Sequence, residues 1–337
     1  MITVGVIANP AAGKDIRRLV AHGRVVSNQE KANIVRRVFA GLIASGVERV
    51  LLMPDHTGLA RPAIDDTKGQ IRSDYVDTGA TDSQNDSTRA ARAMAAEGAQ
   101  CIVTLGGDGT NRVVAKGCGD VPLVPISTGT NNVFPQMVEG TLAGLAAGAV
   151  ATGVVSVGQA CRRSKSIDVF VDGEHVDIAL VDAAVTDYAF VGARAVWQPD
   201  SLSDLFLTRA EPACIGLSSI GSRLHPLELD SAEGMYLRLS GEAGPNQTTV
   251  LAPVAPGVVR EVDVRDWSLI RPGQRREVST YPGTVALDGE REVEILPRQK
   301  VELALNAKGP LVVDIALTHR LLAADSASRL AKRHNAR

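Results

Sequence analysis

Through the first 155 residues the apolar positions switch between two spacings. Ile2 to Ala8 is a short β-branched run that breaks at Asn9-Pro10-Ala11-Ala12-Gly13-Lys14, so a strand enters a loop rich in turn formers. Ser27 and Glu30 stand at capping-box spacing, and Val35, Val38, Phe39, Leu42 and Ile43 then recur at helical intervals until Gly46. Val47 to Met53 reads as a second strand, Asp86 to Glu97 as an alanine-rich helix closed by Gly98, and Cys101 to Leu105 as a third strand. Strands alternating with helices of this length predict βαβ units and a mostly parallel sheet, with ligands at the carboxyl ends of its strands.

Past residue 155 the runs become short and alternating, with turn signals at Asp172-Gly173, Gly241 to Pro245, Pro256-Gly257, Pro272-Gly273 and Asp288-Gly289. The pattern predicts an α/β domain over 1–155 and an antiparallel β domain over 156–317. The tail 318–337 carries Leu321, Leu322 and Leu330 among charges, and is expected to form a helix packed on a neighbour.

Composition adds mainly exclusions. A chain of 337 residues, 45% hydrophobic and 22% charged, has the make-up of a soluble two-domain globular protein. A formal net charge of −2 supplies no basic field for nucleic acid or an anionic membrane, so any phosphate site must be local. The uncharged run Gly140 to Gly158 consists mainly of alanine, glycine and valine, which gain little from hydrocarbon, and no membrane span is expected there. The start, Met1-Ile-Thr-Val-Gly-Val-Ile, lacks a basic leader and cleavage signal and reads as a strand; the expectation is a cytoplasmic protein. Cys101, Cys118, Cys161 and Cys214 form no CxxC pair and read as reduced thiols. Base rates favour a homodimer.

The strongest chemical signal is Gly106-Gly107-Asp108-Gly109-Thr110, directly after an apolar strand and before a helix expected near Asn111. Glycines let the backbone approach a phosphate, and the free N–H groups of the following helix attract the anion. The plain alternative is a tight turn with Asp108 or Thr110 as helix cap. Asp108 bears on the choice, because a carboxylate beside phosphate oxygens is repulsive unless a cation or a hydroxyl intervenes. Such an aspartate can accept the acceptor's proton, orient its hydroxyl, or hold magnesium through water.

Other phosphate motifs fail on spacing. Gly13-Lys14 is preceded by Ala8 where a P-loop needs glycine, and Arg112 stands where a dinucleotide fingerprint needs its third glycine. A second polar loop, Ser127 to Asn132, follows the apolar run Pro122 to Ile126; its hydroxyls and amides suit phosphate and ribose, or else it is a solvated loop. Leu287-Asp288-Gly289-Glu290 is first a hairpin turn, and second a pair of carboxylates able to reach a cleft. The six histidines are scattered, with no H-E-x-x-H, and no G-x-S-x-G elbow occurs.

Asn9-Pro10 with Gly13, Gly106 to Thr110, Thr128-Gly129-Thr130-Asn131 and Asp288-Gly289-Glu290 together resemble the NAD kinase and diacylglycerol kinase superfamily. Asn9 to Arg18 and Gly106 to Pro135 are most similar to its AcoX-type branch, whose members accompany acetoin-catabolism enzymes. The resemblance implies an α/β domain with a mostly parallel sheet, a C-terminal antiparallel β-sandwich, and ATP with Mg²⁺ in the cleft between them. It implies Asp108 as catalytic aspartate, with Asp288 and Glu290 as an acidic pair near metal or acceptor; Asp108 and Asp288 would meet the metal through water. Asn9, Pro10, Gly13, Gly106, Gly107, Gly109, Thr110, Asn111, Thr128, Gly129, Thr130, Asn131 and Asn132 become nucleotide-contacting positions, with Thr78 adding a hydroxyl. No downstream Asn-Glu pair of the NAD kinase type is present. The expected activity is phosphoryl transfer from ATP to a small-molecule hydroxyl, with NAD or NADH the first acceptor to test. The rivals are a lipid or polyol kinase and a non-catalytic NAD(H)- or ATP-binding regulator.

Overall fold

A computed structural model of the chain describes residues 1–12, 26–129, 131–187, 199–278 and 282–324. Five parallel strands begin the first domain: β1 (Thr3–Ala8), β2 (Arg49–Leu52), β3 (Arg72–Tyr75), β4 (Cys101–Gly106) and β5 (Leu123–Ser127). They lie in the order β3-β2-β1-β4-β5. The connecting helices are α1 (Asn28–Ala44), α2 (Arg61–Thr67), α3 (Asn85–Ala96), α4 (Asp108–Ala115) and, after β5, α5 (Gly140–Ala151). Buried on both faces, the central strands read as near-continuous apolar runs. Val4 and Val6 of β1 pack with α1 and α5, whereas Ile7 packs with α3 and α4.

Ser27 caps α1: its Oγ accepts the Glu30 N–H at 3.2 Å. The run Gly140 to Gly158 contributes α5, packed along α1, and no described helix is long and apolar enough to span a membrane. Glycines permit this approach, since a Cβ on Gly144 would stand 2.2 Å from the Val38 carbonyl oxygen. Two elements lie outside the apolar pattern: α2, with Pro62 as its second residue, and β3, an edge strand with the polar sequence Arg-Ser-Asp-Tyr.

The sheet is completed from the far end of the chain. Leu311–Val313 pairs parallel to β5, and Cys161–Arg163 pairs antiparallel to Leu311–Val313. Both segments come from the stretch 156–317, so the connections between the domains are themselves strands. In 315–324, which is helical, Leu321 and Leu322 pack on the same core; Leu330 lies outside the described residues.

The second domain is built from antiparallel sheets. One has six strands in the order Asp266–Ile270, Gly234–Arg238, Leu202–Leu207, Asp182–Thr186, Gly283–Leu287, Glu290–Ile295. The other has four, in the order Arg275–Glu277, Val301–Asn306, Ser166–Val171, Glu174–Ala179. Ile167, Val169 and Leu303 of one sheet pack with Ala183, Val185, Phe206 and Val285 of the other, as a sandwich requires. The hairpin Thr248–Ala255/Val258–Val264 and the short helix Ser218–Leu224 cover the outer face of the larger sheet.

Candidate functional site

The carboxyl ends of β1, β4 and β5 lie side by side, and the loops leaving them interlock. Asn9 Nδ2 donates to Thr110 Oγ1 at 3.0 Å, tying the loop after β1 to the one after β4. Lys31, fully buried on α1, draws the first loop together by donating to the carbonyls of Asn9, Pro10 and Ala12. After β4 the chain turns at Gly106 and Gly107 with no room for side chains. A Cβ on Gly106 would lie 2.5 Å from Thr110, and one on Gly107 would lie 2.8 Å from Asn132 Oδ1.

Helix α4 starts three residues before the expected Asn111. Gly107 is extended and serves as its N-cap, leaving Asp108 in the first turn, so neither Asp108 nor Thr110 caps the helix. Asn111 instead braces the turn from below: fully buried, it donates through Nδ2 to the Gly107 carbonyl and accepts from Thr104 Oγ1.

The Asp108 side chain points across to the loop after β5, where its carboxylate accepts N–H from Val133 at 3.1 Å and from Phe134 at 2.8 Å. That loop is not a solvated one. Thr128 is 1% exposed, and Asn132 Nδ2 donates to Ser127 Oγ at 2.8 Å. Thr128 Oγ1 and Asn131 Oδ1 are buried and have no hydrogen-bond partner among the described residues.

Asp288 and Gly289 form the turn between Gly283–Leu287 and Glu290–Ile295, with φ of 52° and 81°, as a type I′ hairpin demands. The turn is nonetheless buried. Asp288 accepts N–H from Leu180 at 3.0 Å, Val181 at 2.7 Å and Asp182 at 3.2 Å. Burial pushes its carboxyl above the usual range, against the opposing pull of Arg112 and the backbone donors. Glu290 accepts from Gln84 Nε2 at 2.8 Å and lies against Gly109.

Asp108, Asn131 and Val133 from the first domain and Asp182, Ile215, Gly216, Leu217, Val254, Asp288 and Gly289 from the second line one cleft. Arg209 is buried nearby, its guanidinium 5.4 Å over the Phe134 ring and its charge acting on Asp108 and Asp288. Of the expected positions, Thr78 follows edge strand β3, separated from β4 by β2 and β1, and its buried hydroxyl has no hydrogen-bond partner among the described residues. Gly13 and Thr130 lie outside the described residues.

Asp182, Arg209, Lys31 and the apolar Ile215, Leu217 and Val254 did not emerge from the motifs. Asp182 alone left a local signal, an acid interrupting the apolar run Ile178 to Val185. Among the described residues no group of three histidines, cysteines or carboxylates is arranged to hold a metal ion. The described residues thus build no protein cage for magnesium. The glycine turn and the unpartnered Thr128 and Asn131 oxygens do fit a polar ligand approaching the backbone.

A parallel α/β domain with a glycine turn after its fourth strand, followed by antiparallel sheets whose hairpin brings a second acid to the cleft, defines the two-domain fold of the NAD kinase type. The description "ATP-NAD kinase N-terminal domain" matches residues 4–154, and "Acetoin catabolism protein X C-terminal domain" matches residues 165–308. Acetoin catabolism protein X of Cupriavidus necator is 40% identical over 329 residues, covering 94% of this chain and 91% of that protein. The chain belongs to the acetoin catabolism protein X family.

Proposed function

We propose that the protein is an ATP-dependent phosphotransferase that moves the γ-phosphoryl group to a hydroxyl of a small molecule, and that it serves acetoin catabolism as its relative's name suggests. The observation that carries this reading is the placement of Asp108. It opens the helix after a glycine turn too tight for any Cβ, and faces the cleft shared with Asp288 and Gly289 of the other domain. The turn's backbone would receive the phosphates and the Thr128 hydroxyl would donate to one of their oxygens, while Asn131 Oδ1, an acceptor, would take a hydroxyl of the nucleotide's ribose. Asp108, held in orientation by two backbone N–H groups, would direct the acceptor hydroxyl and take its proton. Magnesium bound with the nucleotide would neutralise phosphate charge, with Asp108 and Asp288 reaching it through water.

Among the described residues the cleft lining combines Val133, Ile215, Leu217 and Val254 with carboxylates, and no lysine or arginine is among them. That lining favours an uncharged hydroxyl-bearing group there over an anionic one. NAD and NADH remain the first acceptors to test, followed by polyols and lipids, using the full chain and labelled ATP. Asp108→Asn is expected to retain ATP affinity and to lose turnover by about 10²-fold or more, the usual share of a general base. Wild-type turnover in that variant would remove Asp108 from the mechanism.

One observation favours a second reading, in a regulator that binds nucleotide without catalysis: both Asp108 and Asp288 already serve backbone N–H groups. Saturable ATP or NAD(H) binding with no label transferred to any acceptor would select it.

A further inference from the structure

Arg112, which spoils the dinucleotide fingerprint, stands one turn after Asp108 on α4 and is fully buried. It reaches out of its own domain. Nη1 donates to Asp177 Oδ2 at 3.0 Å in the strand Glu174–Ala179, and Lys116, one turn further on, donates to Asp177 Oδ1 at 3.0 Å. Nη2 approaches Gln84 Oε1, beside the start of α3, at 3.5 Å, and Gln84 Nε2 donates to Glu290 Oε2 at 2.8 Å. Glu290 directly follows the tip of the Asp288-Gly289 hairpin, and a Cβ on Gly109 would stand 3.4 Å from its Oε1.

Asp177, Arg112, Gln84 and Glu290 therefore form one chain of contacts. It ties strands from two different sheets of the second domain to α3 and α4 of the first. A buried guanidinium is costly unless paired, and here its carboxylate comes from across the cleft. Opening this edge parts the guanidinium from the Asp177 carboxylate, so the network discriminates between arrangements of the two domains.

We propose that Arg112 is a positioning residue: clasped by Asp177 and Gln84, it holds the Asp288–Glu290 hairpin tip over the glycine turn and fixes the cleft in its nucleotide-binding geometry. The inference rests on the phosphotransfer reading of that cleft, and its test separates the two. Full-length Arg112→Met, Gln84→Leu and Arg112→Lys are compared with wild type by hydrogen exchange and by calorimetric binding of AMP-PNP with magnesium. Arg112→Met and Gln84→Leu are expected to exchange about tenfold faster over 283–295, with 166–171 unchanged, as a local opening requires. The same two variants should lose AMP-PNP affinity by about fivefold or more, while Arg112→Lys, which keeps the charge at Asp177, recovers part of that loss.

Exchange over 283–295 within about twofold of wild type overturns the clasp, as does a rise spread evenly through both sheets with affinity unchanged. Should Arg112→Met fail to fold, Gln84→Leu decides alone, because it cuts the link to Glu290 and leaves the Asp177 pair intact. Wild-type protein that binds no AMP-PNP defeats the phosphotransfer reading, and hydrogen exchange still judges the clasp.

Discussion

Replacing Asp288 separates what its backbone requires from what its carboxylate does. The residue sits at φ 52°, where asparagine and glycine are tolerated and alanine is strained by about 1 to 2 kcal/mol. Its carboxylate serves the N–H groups of Leu180, Val181 and Asp182. Removing it leaves three donors at the foot of a cleft that water can enter, so about 1 kcal/mol each, the low end of the range, is appropriate. Asp288→Ala should then destabilise by about 4 kcal/mol, and Asp288→Gly, which keeps the turn, by about 3 kcal/mol. In Asp288→Asn an amide oxygen at the Oδ1 position can keep Val181, Asp182 and the 3.1 Å bond from Leu180, while Nδ2 replaces the second oxygen 3.0 Å from the same N–H, for a loss of about 1 kcal/mol. Urea unfolding of the full chain, followed by both tryptophan fluorescence and far-ultraviolet dichroism, gives the three values. If alanine and asparagine cost the same, the carboxylate is not what staples Leu180 to Asp182; if glycine costs more than alanine, positive φ is not the strain assumed.

A matched pair of glycines tests the α1 to α5 contact. Gly144→Ala drives a Cβ to 2.2 Å from the Val38 carbonyl oxygen and should cost about 1 to 3 kcal/mol, whereas Gly158→Ala, in the helix Val157–Ala160 with nothing within 4 Å, should be neutral or slightly stabilising; thermal melts of both decide it. Lys165 donates to the carbonyls of Ser231 and Glu233, and burial pulls its ammonium down to about 8. Because the folded value lies below the unfolded one, the fold favours neutral lysine, and its contribution is present above the unfolded value of 10.5 and lost as pH falls through about 8. The stability of wild type relative to Lys165→Met should therefore rise between pH 8 and 10.5, and a flat difference in urea unfolding would refute it.

The features legible in the chain were those written locally. The 3.6-residue stripe from Val35 to Ile43, the apolar strands and the glycine turn each depend on neighbours within a few residues, and the fold keeps them. β3 escaped because an exposed edge strand needs no apolar alternation, and the start of α4 moved because Gly107 caps it in place of an acid. Arg112 and Asp177 are 65 residues apart and Gln84 and Glu290 are 206 apart. Nothing near any of these residues announces its partner, so the clasp exists only once the chain is folded. Lys31 is legible for the same reason only in retrospect: its helical position places it inward, where the carbonyls after β1 await it.

Asp108 and Asp288 follow one plan from opposite sides of the cleft. Each leaves a glycine-bearing turn and gives its oxygens to the backbone of a distant segment, Val133-Phe134 in one case and Leu180 to Asp182 in the other. Those segments meet, since Phe134, Leu180 and Val181 form one buried cluster with Arg209 lying over Phe134. The acids are thus anchored to a common apolar wedge, with a buried cation balancing them. A carboxylate fixed in this way loses little orientational freedom when a substrate arrives. The same bonds that look structural therefore suit a reacting group that must not move. This is why substituting either acid should be judged by stability and turnover together: a loss of turnover that exceeds the loss of folding is what separates chemistry from support.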